Sequence, residues 1–190
     1  TVPFYINPNG SSSGDLHVVD FNGDGKVDIL VNQPATSPAG AGRCSGSHRP
    51  LLLYMNITPS ATPMQPQFSN SPLLVRCMQQ VQQAPGSYST EHVGKVSDFD
   101  GNGLPDVFIH RKGTGAGAGP GHLNRIVFTD KGAFTGALSF TRQMPIDQLG
   151  PSMDGLDTGE TAGALTFWAD VNGDGLEDLI IGHQIWMVRL

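Results

Sequence analysis

Three unbroken apolar triplets, Ile29-Leu30-Val31, Val107-Phe108-Ile109 and Leu179-Ile180-Ile181, each follow a nine-residue segment rich in Asp, Asn and Gly. A short continuous apolar run suits a strand buried on both faces. Each polar segment is also preceded by a strand-like stretch: Leu16 to Val19, His92 to Val96, and Leu165 to Trp168. The polar segments are therefore read as loops that join two strands in hairpin fashion. Beyond the first two copies the order continues with a Gly-rich loop, Pro38 to Gly46 or Gly113 to Gly121, and then two more strand candidates. These are Leu51 to Met55 and Leu73 to Val75 in the first unit, and Arg125 to Thr129 and Ala137 to Thr141 in the second. The third unit has room for a third strand at Ile185 to Val188 but not for a fourth.

This order predicts an all-β chain of four-stranded antiparallel units of the β-propeller-blade type, each stacked between its neighbours. The expected boundaries are about 14–80 for the first blade, about 91–145 for the second and about 162–190 for a partial third. Two and a half to three blades are an incomplete ring or an open array, since four is the general minimum for closure. Helix signals are poor, with Cys77 to Gln83 the one stretch able to make a turn or two. Thr58 to Pro72, with four prolines among Ser, Thr and Gln, reads as an extended surface excursion.

The copies of the loop are Asp20 to Asp28, Asp98 to Asp106 and Asp170 to Asp178, with first residues 78 and 72 positions apart. Positions one, three, five and nine carry Asp or Asn: Asp20, Asn22, Asp24 and Asp28; Asp98, Asp100, Asn102 and Asp106; Asp170, Asn172, Asp174 and Asp178. Glycines at positions four and six allow the tight, partly left-handed path that brings these oxygens together. A backbone carbonyl at position seven, from Lys26, Leu104 or Leu176, adds a ligand. An all-oxygen set of this size favours Ca²⁺ over Mg²⁺, which demands octahedral geometry and retains its waters. An EF-hand is excluded, because it needs a bidentate Glu at position twelve, where this chain has Val31, Ile109 or Ile181.

Charge agrees with about three bound Ca²⁺. Nine aspartates of the chain's 17 acidic residues occupy these ligand positions, and the formal net charge is −6. Three divalent cations would cancel that charge, whereas clustered carboxylates with no cation repel one another. A bare Asx-Gly turn is the alternative, since Asn and Asp make turns unaided.

On these loops, and on the apolar strand after each, the chain resembles the FG-GAP and VCBS repeat family, the blades of integrin-alpha-type β-propellers, over almost its whole length. The resemblance implies Ca²⁺ carried between the first two strands of each blade by the nine-residue segments, and carries over no ligand site.

The remaining chemistry sets the function class. With 11 Lys and Arg against 17 acidic residues no basic stripe exists for nucleic acid, and no apolar run is long enough for a membrane span. The six histidines are scattered, with no pair at metal-ligand spacing, and no nucleophile elbow is present. Gly113 to Gly121 lacks the Gly-Lys-Ser/Thr ending of a phosphate loop. Cys44 and Cys77 are read as one disulfide, the alternative being two small apolar side chains. With acceptor sequons at Asn9 and Asn56, the disulfide places the chain outside the cell, secreted or on a cell surface.

The expected function is a non-catalytic, Ca²⁺-binding structural or adhesion module, a self-assembling fibre or surface-layer protomer. Its expected partners are copies of itself or neighbouring blades of a longer chain, with glycans in addition. In the self-assembling version Val2 to Ile6 is a spare strand for a neighbouring chain. The alternatives are a carbohydrate-binding propeller fragment, with Trp168 and Trp186 as sugar platforms, or a non-catalytic domain of a larger secreted enzyme.

Overall fold

The computed structural model describes residues 15–33, 43–46, 48–60, 65–84, 87–114, 125–145, 166–181 and 184–186. The spare strand at Val2 to Ile6, the sequon at Asn9 and most of both Gly-rich loops lie outside these residues. Among the described residues every regular element is a strand and every strand pairing is antiparallel. The chain divides into two compact units, Thr1–Gln79 and Gln80–Leu190.

The first unit holds one sheet of four strands in meander order: β1 (Leu16–Val19), β2 (Asp28–Asn32), β3 (Arg49–Tyr54) and β4 (Leu73–Met78). The inner strands are buried along their length, as their unbroken apolar runs require: Leu30 and Leu51 to Tyr54 are fully enclosed, and Ile29 and Val31 nearly so. Ile29, Val31, Leu52 and Tyr54 form one cluster against which Phe68 packs. The Pro-rich excursion is less free than expected. It folds back on the end of β3 through Ile57 N to Gln67 O (2.9 Å), Ser69 N to Met55 O (2.8 Å) and an Asn56–Phe68 bridge.

Cys44 and Cys77 are disulfide-bonded. The bridge fastens the turn before β3 to β4, and Arg43 Nη1 donates to Pro72 O at 2.9 Å beside it.

In the second unit, β5 (Gln80–Ala84), β6 (Ser87–Ser97), β7 (Asp106–Thr114), β8 (Arg125–Val127) and β11 (Gln143–Pro145) make a five-stranded sheet in the order β11-β8-β7-β6-β5. Between β8 and β11, β9 (Asp130–Lys131) and β10 (Leu138–Ser139) form a separate hairpin. A third sheet has β12 (Thr166–Ala169), β13 (Asp178–Ile181) and β14 (Gln184–Trp186) in sequence order.

Two expectations are corrected here. The segment Cys77 to Gln83 is extended, ending β4 and forming most of β5, so the second sheet has five strands rather than four. Its Met78 and Val81 define no helical face, and backbone pairing with β6 decides the conformation. The fourth strand expected at Ala137 to Thr141 is instead half of the β9–β10 hairpin, and the sheet edge is taken by β11. Histidines that are scattered in sequence also meet: His92 and His110 are cross-strand partners with ring centroids 5.8 Å apart. Gly94, at a bulge in β6, makes room for the rings of His110 and Phe108, since a Cβ there would lie 2.8 Å from His110 Nδ1.

The disulfide closes a loop across a sequence separation of 33. Reducing it, or replacing both cysteines by serine, is expected to destabilise the first unit by about 4 kcal/mol in the chain-entropy account. Urea unfolding with and without reductant measures this, with midpoints followed by Tyr fluorescence.

Candidate metal centre

All three loops have the same backbone path. Glycines at positions four and six take positive φ in every copy: 72° and 81° at Gly23 and Gly25, 75° and 82° at Gly101 and Gly103, 76° and 88° at Gly173 and Gly175. A side chain at these positions would strain the backbone.

This path aims backbone N–H groups at the side chains. Asp20 accepts from Gly23 N (2.8 Å) and Asp24 N (3.2 Å) on Oδ1 and from Gly25 N (2.6 Å) on Oδ2. Asp98 accepts from Gly101 N, Asn102 N and Gly103 N at 2.8, 3.1 and 2.7 Å. Asp170 accepts from Gly173 N, Asp174 N and Gly175 N at 2.7, 3.1 and 2.8 Å. Positions three and five each accept from the N–H two residues on, as in Asx turns: Asn22 from Asp24, Asp24 from Lys26, Asp100 from Asn102, Asn102 from Leu104, Asn172 from Asp174, and Asp174 from Leu176.

The ninth residue does more than supply an oxygen. Asp28, Asp106 and Asp178 are buried, and their Oδ2 atoms accept the position-two N–H of Phe21, Phe99 and Val171 at 3.0, 2.9 and 3.0 Å. In the first two loops Oδ1 reaches further, to Asn56 N (2.7 Å) and Thr129 N (2.8 Å). Both are two residues past the end of the third strand of their repeat, β3 or β8. The same two side chains hold the position-eight carbonyl: Asn56 Nδ2 donates to Val27 O at 3.1 Å, and Thr129 Oγ1 donates to Pro105 O. These positioning residues were not identified from sequence. The available signal was a polar residue directly after an apolar strand in both repeats. Asn56, expected as a glycan acceptor, commits an amide hydrogen to Val27 O and its Oδ1 to Thr58 N at 3.0 Å.

The loops differ in what they bring together. Asp98, Asp100 and Asp106 each place one carboxylate oxygen within 4.8 Å of the others, a cluster that could hold a metal ion. Oxygens on one Ca²⁺ at about 2.3 to 2.6 Å are no farther apart than about 5 Å, so this spacing fits a shared cation. In loops one and three position three is Asn, and its Nδ2 donates to the position-five carboxylate: Asn22 to Asp24 at 3.2 Å and Asn172 to Asp174 at 2.9 Å. Among the described residues these loops form no such acidic trio. Loop two alone has Arg142 beside it, bonded to Asp100 and, at 3.0 Å, to Asp130, with its guanidinium 4.0 Å over the Phe128 ring. Each loop holds three aspartates, and in loop two this arginine offsets part of the charge of Asp100.

Trp168, one of the two proposed sugar platforms, lies on Phe99 and Phe108 with centroids 4.7 and 4.9 Å away. That face of the ring is used in packing. Trp186 falls in β14, where the backbone pairing alone is described.

Burial pushes the Asp106 carboxyl up to about 6; its hydrogen bonds from Thr129 and Phe99 oppose the shift, and the nearby Asp100 and Asp98 charges add to it. Asp28 is raised for the same first cause. With folded values above unfolded ones, the folded chain binds more protons than the unfolded chain between about pH 4 and 6, so stability is present below this window and is lost as pH rises through it. In cation-free buffer Asp106 is expected to contribute a loss of about 2 kcal/mol between pH 4 and 7, and saturating calcium to remove it. Urea midpoints at the two pH values, with and without the cation, measure the slope. No family model matches the chain, and no curated protein or solved structure does.

Proposed function

We propose that this chain is a non-catalytic, Ca²⁺-stabilised structural or adhesion module built from propeller-blade repeats of the FG-GAP and VCBS type, working outside the cell. The observation that carries the reading is the threefold recurrence of one loop skeleton, with a first Asp under three N–H groups and a buried ninth Asp clamped to position two. In loop two the skeleton converges three carboxylates at Ca²⁺-compatible spacing. Loops one and three would reach the same state by releasing the Asn22–Asp24 and Asn172–Asp174 contacts to the cation. Lys26, Leu104 and Leu176 would supply carbonyls.

The meander order of strands supports blades, and the disulfide supports an oxidising compartment. Among the described residues no helix is long and apolar enough to cross a membrane. The role of the cation is architectural. Bound between carboxylates that otherwise repel, it converts binding free energy into folding free energy.

The test is thermal unfolding with 1 mM CaCl₂, with 1 mM MgCl₂ and with excess chelator. Calcium at about 100-fold over its dissociation constant is expected to add roughly 2.7 kcal/mol per site, with Mg²⁺ well below that. Asp98→Ala and Asp106→Ala are each expected to remove the contribution of loop two. A melting temperature indifferent to calcium would reduce the loops to bare turns and sink the reading.

A further inference from the structure

The contact between the second and third sheets has a repeat-equivalent on each of two uncovered faces. The third sheet presents three groups to the second: Trp168 packs on Phe99 and Phe108, Leu176 Cδ2 lies 3.3 Å from where a Cβ on Gly101 would be, and Glu177 Oε1 pairs with Lys95 Nζ at 3.1 Å. In repeat terms the presenting positions are two residues before the loop and positions seven and eight within it. The receiving positions include two and four of the preceding loop.

The presenting positions of the first sheet are Val18, Lys26 and Val27, and Lys26 Nζ lies 3.9 Å from Asp24 of its own loop. Val18 is 55% exposed, Val27 51%, and Leu16 on the same face of β1 49%. Pairing confirms the correspondence, because Val18 opposes Ile29 as Trp168 opposes Leu179, and Ile29 and Leu179 both follow directly on the ninth loop residue. At the receiving end the pattern is reversed. Phe21 and Phe99, at position two, are wholly buried, whereas Val171 is 47% exposed. A Cβ on Gly173 would meet nothing within 4 Å, unlike one on Gly101.

The two uncovered faces are therefore the two halves of a contact that the chain already makes once internally. The first groups Leu16, Val18 and Val27, the second offers Val171, and exposed aliphatics grouped as on the first mark an interaction surface. We infer that a second copy of this chain docks head to tail, its Leu16, Val18 and Val27 face seated on the Val171 and Gly173 face of the first. The interface is heterologous, so each copy retains one free face of each kind and association continues into an open filament or a closed ring. This deepens the structural-module reading and rests on its repeats, not on the cation.

Sedimentation velocity from about 1 to 100 µM in 1 mM calcium, with Val18→Asp and Val171→Asp as variants, tests the docking. The wild-type mass is expected to grow with concentration, while each variant alone stays monomeric. A mixture of the two variants has one intact face of each kind and is expected to stop at a species of twice the monomer mass. Leu16→Asp, at an equally exposed site, repeats the head-side test should Val18→Asp fold poorly. A wild-type chain monomeric throughout would overturn the docking and leave the faces to sheets of a longer chain. Variants that associate like wild type would overturn it as well. Calcium-dependent unfolding measured on the same samples keeps this outcome separate from the cation reading, since a monomer still stabilised by calcium sinks the docking alone.

Discussion

A carboxylate enclosed by protein is costly unless its oxygens are satisfied, and in this fold the ninth-position aspartate is satisfied by the backbone it organises. Asp28 and Asp106 each receive one N–H from the start of their own loop and one from just past the third strand. One side chain thus joins the hairpin made by the first two strands to the strand that follows. The side chains just past that strand then hold the carbonyl next to the aspartate. Loop, hairpin and third strand form one polar unit, and the apolar triplet that begins one residue later enters the sheet in fixed register.

That unit also explains why position two is aromatic in the buried repeats. Its N–H is held by the ninth carboxylate, so its side chain is delivered to a fixed place on the sheet, where Phe99 meets Trp168. Polar and apolar order are thus linked: the buried carboxylate positions the ring, and the ring takes the next sheet. Phe21 has the same polar bond and is wholly enclosed, whereas Val171 has the bond and is half exposed.

Much of this was legible in the sequence. Unbroken apolar triplets gave the buried inner strands, Gly at positions four and six gave the left-handed turns, and two cysteines gave the bridge. What escaped depends on contacts distant in the chain. Arg142 reaches Asp100 across 42 positions, and Asn56 reaches Asp28 across 28; no local spacing encodes either. The fifth strand was missed because Gln80 to Ala84 has little apolar pattern and is defined by pairing with β6. The ninth aspartate was read as a ligand, since its type and spacing suit one. Its structural work shows only when the N–H groups facing it are known.

The hydrogen bonds already present in the loops bear on how a cation would act. In loop two Asp98 Oδ1 already accepts two N–H bonds, whereas Asp98 Oδ2 and Asp100 Oδ1 accept one each, which leaves a second lone pair on each of these oxygens. A cation entering loop two would find Asp98, Asp100 and Asp106 gathered, with the backbone path fixed by Gly101 and Gly103. Little conformational entropy would then be lost on binding, and most of the gain would come from relieving repulsion among the gathered acids. Loops one and three would first give up an amide-to-carboxylate contact, so they would bind later in a titration than loop two. Arg142 works the other way on loop two, by withdrawing part of the charge of Asp100. Affinity there is the balance between a preassembled trio and a resident cation, whereas loop one has Lys26 Nζ 3.9 Å from Asp24 and an Asn at position three.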